Sequence, residues 1–140
     1  MAGSPRVKIT AGPYVFGARF EEATAPKTCT AFAKLLPYRQ KLIHARWSGE
    51  ACWIPLGKFA LEVGPENALS QPSPGQILFY PGGISETEIL FPYGLSRFAC
   101  KDGPLAGSPF LTVLDGADRL ADLGRLVLWH GAQDICFEMG

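Results

Sequence analysis

Apolar and polar residues alternate along this chain in short runs, broken at close intervals by glycine and proline, and the pattern predicts a sheet-rich fold with many turns. From Arg6 to Thr10, Val7 and Ile9 fall on one face and Lys8 and Thr10 on the other; Gly12-Pro13 marks a turn, and Tyr14 to Phe20 resumes with Tyr14, Phe16, Ala18 and Phe20 on one face. This reads as an N-terminal hairpin. The period then lengthens: Ala25, Cys29, Phe32, Leu35 and Leu36 recur at helical spacing. They predict a helix with Thr24 as N-cap, Pro26 in the first turn, Glu21-Glu22 near the positive end of the dipole and Pro37 as the stop. Lys41 to Pro55 reads as two strands around a Ser48-Gly49 turn. Further strands are expected over Lys58 to Val63, Gln76 to Tyr80, Ile84 to Phe91, Pro109 to Leu114 and Gln133 to Glu138, with loops over Gly64 to Gly75 and Pro92 to Pro109. Asp115 and Asp118 form a variant capping box for a second helix, Ala117 to Leu128, whose Leu120, Leu123 (or Gly124) and Val127 face inward. Hairpin, helix, many strands, helix and last strand make an α+β, mostly β layout, a closed or nearly closed barrel with a helix over each opening.

Composition narrows the function classes. The 140 residues suit one domain, with residues 1–5 expected to be disordered. Lys+Arg and Asp+Glu are both 13, so the electrostatic argument for nucleic acid or an anionic membrane is absent. No apolar run approaches the roughly 20 residues of a membrane span, and Met1 to Pro5 carries no hydrophobic signal segment, which leads us to expect a cytoplasmic protein. Cys29, Cys52, Cys100 and Cys136 form no C-x-x-C pair and are read as free thiols. His44, His130 and Glu86 have no ligand spacing, so neither a metal nor a cofactor is expected. Zero net charge and surface-capable apolar residues leave a homo-oligomer open as a structural reading.

The candidate chemistry gathers in the 41–55 hairpin, which holds His44, Arg46, Trp47, Glu50, Cys52 and Trp53. With a two-residue Ser48-Gly49 turn, Trp47 pairs with Glu50, Arg46 with Ala51, Ala45 with Cys52 and His44 with Trp53. His44, Arg46, Ala51 and Trp53 then share one face, and Ile43, Ala45, Trp47, Glu50, Cys52 and Ile54 the other; a bulge at Gly49 would shift the register and swap half of these assignments. Arg46 and Glu50 are candidates either for a structural ion pair or for a site. In Ile84 to Leu90, alternation puts Glu86 and Glu88 on one face with Ile84 and Leu90, about 7 Å apart, where one carboxyl can have a raised pKa and act as acid or base. His130 is explained by the dipole at the end of the second helix. The glycines after Tyr80-Pro81 permit close backbone approach, but no helix N-terminus follows, so a nucleotide site is not expected.

Two motifs are more specific. Pro26-Lys27-Thr28 and Phe32, after a hairpin strand and an acidic pair, are similar to the opening of cyclophilins. Trp47-Ser48-Gly49-Glu50 and Pro74-Gly75-Gln76-Ile77-Leu78-Phe79-Tyr80-Pro81 resemble the signatures of a group of bacterial cyclophilin-like proteins that are small stand-alone domains. The resemblance spans essentially the whole chain and implies a cyclophilin-type closed eight-stranded barrel with two helices at its ends. It implies no established activity. The Gln-Gly-Gly-Asp run of prolyl isomerases occurs nowhere in the chain, so a competent isomerase is not expected. The expectation is a barrel that binds a small polar metabolite between the 42–55 hairpin and the 76–90 strands. Arg46, Trp47, Trp53, Tyr80 and Glu88 are its ligand-binding candidates, and Glu50, Glu86 and His44 its catalytic ones. The rival readings are a small-molecule isomerase, lyase or hydrolase using Glu50 or Glu86 with Arg46, and an oligomerisation module.

Overall fold

The computed structural model describes residues 6–140; the expectation for residues 1–5 lies outside them. In chain order the elements are β1 (Arg6–Ala11), β2 (Tyr14–Phe20), α1 (Pro26–Ala33), β3 (Tyr38–His44), a 3-10 turn (Arg46–Ser48) and β4 (Gly49–Gly57). There follow β5 (Gln76–Tyr80), β6 (Thr87–Ser96), β7 (Ala99–Cys100), β8 (Gly103–Pro104), β9 (Ser108–Asp115), α2 (Leu120–His130) and β10 (Gln133–Met139). Eight strands close into a barrel in the order β1-β10-β3-β4-β6-β5-β9-β2, every neighbouring pair antiparallel. β7 and β8 form a small separate hairpin. Closure leaves the main sheet without an edge strand.

Alternation along each strand sends one set of side chains into the barrel. Val7, Ile9, Phe16, Phe20, Leu42, Ile54, Ile77, Phe79, Ile89, Phe91, Ile135 and Phe137 are all fully buried there. Both helices lay their apolar sides on this same cluster, through Cys29 and Phe32 of α1 and Leu120, Leu123 and Val127 of α2. Phe32 is its hub, with ring centroids 4.9 Å from Phe110, 5.3 Å from Phe137, 5.5 Å from Tyr38 and 6.5 Å from Phe20. A second cluster (Ala45, Ala51, Leu78, Tyr80, Leu90, Phe98 and Leu105) draws on positions of β4, β5 and β6 that alternate with the inward ones. It therefore lies on the outer face of the wall, covered by the segment that carries Phe98 and Leu105.

Several sequence expectations are corrected. The helix α1 is not capped by Thr24: its N-cap is Ala25, which makes no side-chain cap bond. The cap comes from far along the chain, where Glu66 accepts the N–H of Thr28 (2.7 Å) and of Lys27 (3.2 Å). Asp115 does not cap the second helix either. Gly116 in the left-handed region (φ 87°) leads into a 3-10 turn before α2, and the Asp115 carboxylate faces Arg6 at 3.4 Å. Lys58 to Val63 is not a strand, because Gly57 (φ 59°) turns the chain out of the sheet. The alternating Phe59, Leu61 and Val63 have a different origin: Leu61 and Val63 pack on the barrel cluster and Phe59 on Tyr38. The 41–55 hairpin has no two-residue turn. A 3-10 turn at Arg46–Ser48 pairs Ile43 with Trp53 and His44 with Cys52, one residue away from the simple register.

Candidate functional site

That register decides which side chains meet. Since His44 pairs with inward-facing Cys52, the imidazole turns toward the inner side, where its Nε2 lies 2.7 Å from the Tyr93 hydroxyl. Its Nδ1 is buried with no hydrogen-bond partner among the described residues. Burial first, and then the Arg46 charge, hold His44 below the usual imidazole range, so it is neutral at pH 7. The Tyr93 ring lies against Gly124 of α2, at a contact a Cβ there would fill. Arg46 and Glu50 border a depression of about 540 Å³ beside Tyr93 and Arg125. Glu50 is not ion-paired with Arg46 among the described residues; its Oε1 accepts the Leu95 N–H at 2.8 Å as it crosses Gly94. Burial pushes the Cys52 thiol up to about 12, so it remains a thiol at neutral pH.

Trp53, one residue on from Cys52, points the opposite way, onto the outer face. There it borders a pocket of about 580 Å³ lined by Trp47, Trp53, Ile84, Ser85, Glu86, Glu88, Cys100, Lys101 and Asp102. The 3-10 turn delivers Trp47, whose ring stands edge-on to Trp53 with centroids 5.3 Å apart. Trp47 is 53% exposed and Ile84, from another segment of the lining, 70% exposed, so two large apolar side chains remain open to solvent around this pocket.

Glu88 is the unusual member. It is 3% exposed and lines the pocket from β6; its carboxyl makes no hydrogen bond among the described residues, and its oxygens, unlike the Trp53 Nε1, are not wholly shut off from solvent. Burial, with the Glu86 charge second, pushes it up to about 8 from an ordinary 4.5. It therefore carries a proton at neutral pH. A carboxyl held this deep costs stability when it ionises, and such groups concentrate where proton chemistry is carried out. Glu86 is not on the same strand face as Glu88, as alternation had suggested, since β6 begins only at Thr87. It sits in the preceding loop, exposed, with its Oε1 accepting the Gly57 N–H at 2.9 Å. Both carboxyls nevertheless border the same pocket.

The remaining candidates separate. Tyr80 is buried and does not line the pocket; its hydroxyl accepts the N–H groups of Ile84 (2.9 Å) and Ser85 (3.4 Å). It clamps the loop that forms one wall. The structure thus brings Trp47, Trp53, Glu86 and Glu88 together outside the barrel, and places His44, Arg46 and Glu50 elsewhere. Among the described residues no three His, Cys, Asp or Glu side chains converge as metal ligands, and no helix is long and apolar enough to cross a membrane. The sequence reading missed Cys100, Lys101 and Asp102, which enter from the end of β7 and the turn into β8. The signal was Lys101-Asp102-Gly103, two polar turn residues and a glycine inside a segment read as irregular. It also missed Tyr93, hidden in an apolar run after Pro92.

Residues 7–139 match the family model described as "Protein of unknown function (DUF3830)". The chain belongs to the DUF3830 family. No curated protein matches it. Among solved structures, the complex of McbB with tryptophan is similar at a TM-score of 0.73 and 17% identity, over 95% of this chain and 44% of that one. The chain thus spans less than half the length of McbB. The solution structure of the hypothetical protein AF2241 from Archaeoglobus fulgidus is similar at a TM-score of 0.56 and 16% identity, over 98% of this chain and 95% of that one. At these identities the likeness is one of fold: this DUF3830 domain shares its barrel with both.

Proposed function

We propose that this DUF3830 domain binds a small organic molecule in the pocket outside β4 and β6, and that Glu88 exchanges a proton with it. The observation that carries this reading is the nearly buried Glu88, its carboxyl without a hydrogen bond among the described residues, on a pocket walled by two indoles. Pockets that hold small ligands are concave, largely apolar and furnished with few polar groups, and the volume here suits a metabolite. A carboxyl that titrates near neutrality is matched to acid–base work. Turnover by an isomerase, lyase or hydrolase is therefore the second reading, with Glu88 a stronger candidate than Glu50, whose carboxylate is taken by a backbone N–H.

We also assign the family to the cyclophilin-like superfamily, as an intracellular member without prolyl isomerase activity. The closed antiparallel eight-stranded barrel supports this, as do Pro26-Lys27-Thr28, Trp47-Ser48-Gly49-Glu50 and the missing Gln-Gly-Gly-Asp run. McbB was solved with tryptophan, which makes amino acids sensible first compounds to try.

The test is a metabolite screen read by thermal shift and tryptophan fluorescence on the wild type, Trp47→Ala and Glu88→Gln. At least one compound is expected to raise the melting temperature of the wild type, with affinity weakened tenfold or more in both variants. A screen without binders, or binders indifferent to both substitutions, would overturn the assignment.

A further inference from the structure

Resting on the reading that the outer pocket holds a small molecule, we infer that its occupant is a protonated organic amine with an aromatic or apolar body, its ammonium held by Glu86 and Glu88 against the indoles of Trp47 and Trp53. The charge inventory carries the argument. Among the described residues the pocket is bordered by three carboxyl groups, Glu86, Glu88 and Asp102, and by a single cation, Lys101, adjacent in sequence to Asp102. Arg46 follows a different course and borders the depression on the other side of the hairpin. An anionic ligand would meet an excess of like charge in partly desolvated surroundings, which costs most where water is excluded. A neutral ligand could hydrogen-bond the protonated Glu88 carboxyl but would leave the Glu86 charge beside it uncompensated.

An ammonium answers both features. It supplies donors to a carboxyl that has none, and its charge opposes that of Glu86. The indoles add cation–π attraction for the ammonium and an apolar wall for the rest of the ligand. A bare metal ion fits less well, because no three ligating side chains converge among the described residues and two of the lining groups are indoles. The groups facing Glu88 are Glu86 from the loop before β6 and Cys100, Lys101 and Asp102 from the end of β7 and the turn into β8. Its strand neighbours Pro55 and Tyr80 offer no charge, the Tyr80 hydroxyl being engaged with the backbone of Ile84 and Ser85. Binding a cation therefore favours the ionised form of Glu88, and the proton it carries leaves to solvent.

The experiment compares three probes of one shape: 2-phenylethylamine, 2-phenylethanol and phenylacetate, titrated calorimetrically at pH 7 in two buffers of different ionisation enthalpy. The amine is expected to bind at least tenfold more tightly than the other two and to release up to one proton per site, whereas the alcohol releases none. Glu88→Gln should bring the amine to the affinity of the alcohol and abolish proton release; Glu86→Gln should weaken the amine alone. If the alcohol or phenylacetate binds as tightly as the amine, or the amine binds without releasing a proton, the inference is overturned while the pocket reading stands. If none of the three binds at 10 mM (roughly 2.7 kcal/mol of affinity), and none perturbs the tryptophan fluorescence, both are overturned. The proton count is made on the wild type, so it does not depend on either variant folding.

Discussion

Strands β4, β5 and β6 face two different solvents. On their inner side Cys52, Ile54, Ile77, Phe79, Ile89 and Phe91 join a cluster built from all eight barrel strands and both helices. On their outer side Ala51, Leu78, Tyr80 and Leu90 form a smaller apolar patch, and beside it the same strands place Trp53 and Glu88. The inner face contains little that asks for a hydrogen bond. Among the described residues the outer face leaves the Trp53 Nε1 buried without an acceptor, and it holds the nearly buried Glu88 carboxyl at the pocket with no protein donor. One backbone thus carries an almost wholly apolar inner face and an outer face that mixes a buried apolar patch with polar groups lacking protein partners. Residues as deeply buried as Ile89 and Glu88 are neighbours in sequence and have opposite energetic roles.

The division is broken most easily from the inside. Phe32 meets four aromatic rings, and replacing it by alanine leaves a cavity where helix and barrel converge. Phe32→Ala should cost about 3–5 kcal/mol of unfolding free energy, measured by chemical denaturation, whereas Trp53→Ala on the outer face should cost clearly less. Equal losses would mean that the outer face stabilises the fold as strongly as the core.

A comparable effect, on the order of 5 kcal/mol across the pH range, is expected from Glu88 itself. Its folded pKa of about 8 lies above its ordinary 4.5, so the folded state holds the proton more tightly than the unfolded one. The stability this gives is fully present below pH 4.5 and is lost as pH rises through 8. Wild-type unfolding free energy should therefore fall between those limits, and Glu88→Gln should remove most of that slope. A variant with the wild-type profile would show that Glu88 is not the group that titrates.

The inner face was legible from the amino-acid pattern, because alternation in Arg6–Thr10 and Tyr14–Phe20 is strict and one-sided burial enforces it; Gln76–Tyr80 was legible instead as a continuous apolar run, buried on both sides. The outer site was legible as a set of residues but not as an arrangement. Trp47, Trp53, Glu86 and Glu88 were all singled out, yet a 3-10 turn at Arg46–Ser48 moved the hairpin by one residue and sent His44 to the inside. No local signal distinguishes such a turn from a two-residue hairpin at Ser48-Gly49. The alternation at Lys58–Val63 failed for a related reason: apolar residues spaced by two can also face a core from an irregular segment. Lys101 and Asp102 reach the pocket through a hairpin too short to show a period at all.

Glu66 gives the comparison its finest test, because it is the satisfied counterpart of Glu88. Burial would raise its pKa, but the hydrogen bonds from the Thr28 N–H (2.7 Å), the Thr28 hydroxyl (2.8 Å) and the Lys27 N–H (3.2 Å) outweigh that and hold the carboxyl below its ordinary range. Its own N–H donates to the Ser108 hydroxyl at 2.8 Å, which ties the long β4–β5 loop both to α1 and to β9. With a folded pKa depressed below the unfolded one, its contribution is fully present above pH 4.5 and is lost as pH falls, the reverse of Glu88. Glu66→Gln keeps the shape but weakens the charge-assisted cap, so it should cost about 1 kcal/mol at pH 7, and the gap from the wild type should close in acid. In the pair of denaturation series, one glutamine variant converges on the wild type at low pH through loss of a stabilising anion, while the other gains on it at high pH by removing a costly one. Parallel profiles for the two variants would mean that partner supply at these carboxyls does not set their energetic sign.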